Sequence, residues 1–201
     1  MPQLKQSIKA KAARKRSFTL VELLVAMAIS SLVLAGAYGV YISSVKIYRT
    51  NTTSSELTQN ARVALERISR EVRQSADIIT SMPENPTLGT PAVEIKMQDG
   101  HNQWPGIGKI QYIRYYLSGS DLHRELTHYA FPDSSDDWVL YSTRGADNVE
   151  PDKIIDSDQI KAEQMSQIQF WGVKNITINI AVSDGAQTYH FETKALGRNI
   201  Q

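Results

Sequence analysis

Residues 18–45 form a nearly unbroken run of apolar and small side chains whose only formal charge is Glu22. The 23 uncharged residues from 23 to 45 would make roughly 35 Å of helix at ~1.5 Å per residue, enough to cross a bilayer core. A polar stretch at 50–55, TNTTSS, has poor helix propensity. Helical spacing then resumes at Leu57, Ala61, Leu65, Ile68, Val72 and Ile79, mostly in steps of three or four. Charges take the other faces, with Glu66 and Arg70, and Arg67 and Glu71, at i, i+4. The pattern predicts one long helix over residues 18–79, weakened near 50–55 and again at Gly36 and Gly39. Its membrane half would be 18–45 and its amphipathic half 46–79.

Pro83, Pro86, Gly89 and Pro91 end that pattern. Period-two alternation follows, and predicts strands at 93–97, 110–117, 122–129, 168–173, 176–182 and 188–195. Residues 132–164 read as a polar, acidic insertion with few core positions. The fold class is therefore α+β, a long N-terminal helix whose amphipathic half packs on an antiparallel sheet formed within residues 80–201.

Charge divides the chain in a way its overall +1 hides. Lys5, Lys9, Lys11, Arg14, Lys15 and Arg16 precede Ser17 with no acid among them. Without residues 1–17, sixteen basic residues face twenty-one acids, a net charge near −5. A basic flank before an apolar run predicts a cytoplasmic N-terminus and an exported C-terminal body. There is no cysteine, so neither a disulfide framework nor thiol chemistry is available.

Candidate chemistry in the body is thin. His123 and His128 flank Glu125, but not in the H-E-x-x-H order, and on a strand they would face opposite ways. His101 and His190 have no ligand cluster beside them in the sequence. Asp133, Asp136, Asp137, Asp152, Asp156 and Asp158 offer oxygen ligands, yet without the spacing of a calcium loop. Arg62, Arg67, Arg70 and Arg73 raise the question of DNA, but Glu66 and Glu71 lie among them, and nucleic acid is not an expected partner. No phosphate loop or nucleophile motif appears. The reading is of a structural subunit, with no catalytic residue, metal or cofactor expected.

Glu22 is the informative residue, because a carboxylate at the end of a membrane segment calls for a partner charge. A secretory signal cleaved after Ala35-Gly36-Ala37 would leave it unexplained. An ordinary signal anchor predicts the basic flank but not the acid. The basic leader, the small Ser17, and Phe18-Thr19-Leu20-Val21-Glu22-Leu23-Leu24 together resemble the class III signal of type IV pilins and type II secretion pseudopilins. That family prefers Gly where this chain has Ser17. The resemblance implies the pilin fold, and cleavage between Ser17 and Phe18 by a membrane-embedded prepilin peptidase. It further implies N-methylation of Phe18, with Glu22 as the assembly residue. The implied partners are other major and minor pilin subunits, an inner-membrane assembly platform, and the lipid bilayer before assembly. The implied location is a single-pass inner-membrane protein with its body outside the cytoplasm, and then a pilus or pseudopilus.

The body narrows this resemblance. The phrases ARVALERISREVRQS, IQYIRYYL with DLHREL, and FETKALGRN are similar to those of W-type minor pilins and J-type minor pseudopilins. In this chain the closing motif carries an extra Gly197 between Leu196 and Arg198. These phrases favour a minor pilin of a pilus tip or priming complex. A J-type pseudopilin and a signal-anchored periplasmic binding domain that never assembles are the alternatives.

Overall fold

The computed structural model describes residues 18–100, 109–185 and 187–197. Helix α1 (Leu20–Gln74) is followed by strands β1 (Asp77–Ile78), β2 (Ile95–Gln98), β3 (Tyr112–Ser118) and β4 (Asp121–Phe131). Then come β5 (Ser134–Val139), β6 (Asp152–Ala162), β7 (Met165–Trp171), β8 (Asn175–Ser183) and β9 (Thr188–Leu196). Two compact units divide the chain, residues 1–50 and residues 51–201. The described part of the first is the apolar start of α1. The second contains the rest of α1 and every strand.

All pairing is antiparallel. One sheet runs β1-β2-β3-β4-β5, with β6 on the opposite side of β4, and the other runs β7-β8-β9. The two sheets are edge neighbours: Ala92 bridges Phe170, and the Met165 amide donates to the Ser120 carbonyl at 2.8 Å. Leu57, Ala61, Ala64, Leu65, Ile68 and Val72 form the buried stripe of α1. They share one core with Ile95, Met97, Ile113, Tyr115 and Leu122 of the larger sheet, and with Ile168, Phe170, Ile176, Ile178, Ile180 and Val182 of the smaller. Full burial of each large side chain contributes about 1.5–3 kcal/mol, so this stripe is what holds helix to sheet. The expected α+β architecture, an apolar N-terminal helix continuing into a half that packs on antiparallel sheet, is the one found.

The details differ from the sequence reading in two places. The single helix it expects runs on through 50–55, where Thr50 Oγ1 donates to the Lys46 carbonyl at 3.1 Å, and Thr58 Oγ1 donates to that of Ser54 at 2.8 Å. It stops at Gln74 rather than near Ile79. There the Ser75 hydroxyl donates to the Val72 carbonyl, and the Ala76 and Ile79 amides turn to the carbonyls of Gln98 and Lys96. Gly100 permits that exit, since a Cβ there would stand 1.9 Å from the Gln74 carbonyl oxygen.

The second difference is the larger. Residues 132–164 are not a mere insertion, for they hold β5 and the eleven-residue β6, which pairs with β4 from Leu122 to Ala130. Two register shifts put extra residues into β6 at Asp156 and Lys161 and so destroy its alternation. The strand's side chains are mostly exposed, so no apolar period marks it. After β5 the chain folds back over the outer face, where the Tyr141 amide donates to the Tyr112 hydroxyl at 3.1 Å. The Lys96 ammonium lies there 4.6–5.4 Å from the ring centres of Tyr129, Tyr112 and Tyr141 and donates to the Tyr129 hydroxyl.

One polar tie joins α1 to the larger sheet. The Glu71 carboxylate accepts from the Tyr115 hydroxyl at 2.9 Å and from Arg124 Nε at 3.0 Å, with Arg67 Nε at 3.5 Å. Burial, reinforced by the Glu71 charge, holds the Tyr115 phenol well above its ordinary range. A raised phenol stabilises the fold below the ordinary tyrosine pKa and loses that contribution as pH climbs past about 10. Tyr112 is raised too, chiefly by burial. Denaturant unfolding of the full chain in micelles, followed by tryptophan fluorescence, should therefore lose stability steeply above about pH 10. In Tyr115→Phe that slope should be shallower, with the part due to Tyr112 remaining. Equal slopes would show that Tyr115 does not titrate against Glu71.

Candidate assembly site at the head of the helix

α1 begins where the sequence supplies a cap. Thr19 precedes the first helical residue, and its Oγ1 accepts from the Glu22 backbone amide at 3.2 Å, while the Leu23 amide donates to the Thr19 carbonyl at 3.2 Å. Thr19 is thus the N-cap, and Glu22 is the third helical residue. Thr-x-x-Glu is the capping-box spacing, a signal present in the sequence that the reading above did not use. It accounts for an acid at this depth in a second way. The first turn of a helix leaves amides unpaired and carries partial positive charge, which favours a carboxylate at that point.

Phe18 stands just outside the helix with its ring 74 % exposed, one turn from Glu22. Ser17 lies outside the described residues, as do residues 1–16. The apolar surface beyond Glu22 is unburied: Leu23, Leu24, Val25, Met27, Ile29, Leu32, Val33 and Leu34 are each more than half exposed. This segment of α1 is long and apolar enough to cross a membrane. The site therefore consists of an exposed aromatic residue, a capped helix start, one carboxylate in the first turn, and an exposed apolar surface. Chemically it can pair one positive charge at the head of an apolar helix.

Several of the other residues singled out in the sequence are engaged within the body. His123 Nδ1 lies 2.9 Å from an Asp158 oxygen, and His128 Nδ1 lies 2.9 Å from an Asp156 oxygen. Burial works to raise the Asp158 carboxyl, but hydrogen bonds from His123 and Tyr116 hold it below its ordinary range. The two histidines thus clip β6 to β4 and do not converge on a common point. Asp136 and Asp137 lie on β5. Among the described residues, no group of three or more His, Cys, Asp or Glu side chains converges. His101 lies outside the described residues, as do Arg198 and Asn199 of the closing motif. On α1, Arg67 pairs with Glu71, Arg70 with Glu66 at 2.8 Å, and Arg73 donates to the Ser69 carbonyl. Arg67, Arg70 and Arg73 are thereby taken up by neighbours on their own helix.

Residues 12–38 match the family described as the prokaryotic N-terminal methylation motif. No curated protein and no solved structure matches the chain. The motif supports a class III prepilin signal of the type IV pilin kind and, with the apolar helix, a membrane-anchored pilin-like or pseudopilin subunit.

Removing the cap should loosen only the head of the helix. Thr19→Ala should cost about 1 kcal/mol locally and speed hydrogen exchange at the Glu22 amide in micelles. Thr19→Ser should keep protection, and amides beyond the second turn should not change. Unaltered Glu22 exchange in Thr19→Ala would contradict the capping geometry.

Proposed function

We propose that the chain is a minor type IV pilin. It is inserted with its basic leader in the cytoplasm, cut between Ser17 and Phe18 by a prepilin peptidase, and N-methylated on Phe18. It then enters a pilus tip or priming complex through its N-terminal helix. The observation that carries this reading is the coincidence of the methylation motif over 12–38 with a helix whose apolar half is unburied and carries its one acid in the capped first turn.

Cleavage before Phe18 makes a new amine about one helical turn from Glu22. Unpaired charge is expensive in an apolar medium, so the amine and the carboxylate favour mutual neutralisation, within one subunit or between neighbours. A pairing between neighbours fixes how far one helix slides along the next, and in this way a single carboxylate sets axial register. The body phrases similar to W-type minor pilins favour a minor over a major subunit.

Mass spectrometry of the N-terminus of protein taken from its native membrane tests the processing step. The expected species begins with methylated Phe18. Ser17→Leu should block cleavage and leave a precursor 17 residues longer, while Ser17→Gly should process at least as well as the natural chain. A mature-length product from Ser17→Leu, or native protein that retains its leader, contradicts the assignment.

A further inference from the structure

Charged side chains line a cavity of about 420 Å³ where the last turns of α1 meet the larger sheet. Glu66, Arg67, Arg70 and Glu71 come from the helix, Arg124 from β4, and Asp99 from the residue after β2. The space is within the range of small-molecule sites, about 300–1,000 Å³.

The charges in it are not evenly matched. Glu66 and Arg70 pair at 2.8 Å on the rim, where both are mostly exposed, and cancel each other. Glu71 is largely buried and faces both Arg67 and Arg124. A third cation comes from β6. Lys161 is the extra residue of that strand's second bulge, between Ile160 opposite His123 and Ala162 opposite Leu122. Burial first, and then repulsion from Arg67 and Arg124, hold its ammonium below the ordinary range, against the pull of Glu71. Arg67, Arg124 and Lys161 thus gather about the one carboxylate of Glu71, and among the described residues Asp99 does not restore the balance.

The guanidinium geometry leaves room for a second anion. Arg124 meets Glu71 through Nε at 3.0 Å, and Arg67 faces it through Nε at 3.5 Å. The terminal N–H groups of a guanidinium lie in the same plane as Nε and suit the oxygens of a further acceptor. Glu71 holds both arginines in position, so little freedom is lost when such an acceptor arrives.

We propose that this cavity binds a tetrahedral oxyanion of the phosphate class, held by Arg67, Arg124 and Lys161. A planar carboxylate is matched by the fork of a single guanidinium. Cations supplied by three separate elements, α1, β4 and β6, suit a group whose oxygens point in several directions. The low exposure of Arg124, 16 %, limits screening by water. The cavity is larger than a bare phosphate fills, so it has space for a group attached to one. The inference stands apart from the assembly reading above, because every residue in it belongs to the body.

Inorganic phosphate is the first probe, added to the full chain in detergent micelles at constant ionic strength, with chloride and acetate as controls. The Nε–H resonances of Arg67 and Arg124 should shift saturably with phosphate and more weakly with acetate. Arg67→Gln and Lys161→Gln should each weaken phosphate binding about tenfold, and Lys194→Gln on β9 should leave it unchanged. All three variants should keep the unfolding transition. Glucose 6-phosphate, compared with glucose, identifies the source of the anion. Binding at least as tight as that of phosphate favours a phosphorylated small molecule, and binding of phosphate alone favours the free ion. A response no greater than that to chloride, equal affinity for acetate, or indifference to both Arg67→Gln and Lys161→Gln would overturn the proposal. Concentration-dependent shifts of the same resonances without added anion would overturn it in favour of an acidic side chain from a second copy.

Discussion

Everything in the body depends on burying one stripe of α1. A single helix carries two kinds of surface: apolar on all sides before Lys46, and apolar only along Leu57, Ala61, Ala64, Leu65, Ile68 and Val72 after it. The stripe needs a broad apolar floor, and two edge-joined sheets supply it with inward residues of β2, β3, β4, β7, β8 and β9. Glu71 adds direction to an otherwise non-directional contact. Its bonds to Tyr115 and Arg124 fix both where α1 lies along the larger sheet and how it is rotated. Loss of one partner would strand a largely buried charge, a cost of about 2–3 kcal/mol.

The first half of the helix leaves its apolar side chains exposed. Its exposed apolar surface and first-turn carboxylate take their meaning from what surrounds them, lipid at first and then, in the proposed filament, other helices. Capping and assembly make compatible demands on Glu22. The helix start favours negative charge there, and an amine created at Phe18 would add a second reason to hold it. In the proposed filament the two roles would differ in range, since the helix start acts inside one chain and the charge pair would also act between chains.

How much of this was legible in the sequence varies with burial. The α1 stripe was readable because Leu57, Leu65, Ile68 and Val72 pack on one side and nothing disturbs their spacing. β8 was readable because Ile176, Ile178, Ile180 and Val182 alternate without a break. β6 was not, because an exposed edge strand needs few apolar residues and two bulges scramble those it has. The helix end was misread at Ile79, whose apolar side chain suits the helical spacing by accident while its amide serves β2. At the candidate site the residues Phe18 and Glu22 stood out by their chemistry. Thr19 did not, although its capping spacing is present, because one uncharged hydroxyl at the start of an apolar run has neither charge nor period to mark it.

The central claim is that the Glu22 carboxylate acts between subunits. It is tested most directly by following Glu22→Ala into filaments, with processing at Phe18 first verified so that only assembly is compared. The account predicts normal insertion and cleavage of the variant, its accumulation in the membrane, and a clear fall in its recovery from sheared filaments or in filament number. Glu22→Asp, with the charge on a shorter arm, should fall between. Recovery and filament number equal to those of the natural chain would contradict the charge-pairing account, leaving Glu22 only its place in the first turn that Thr19 caps.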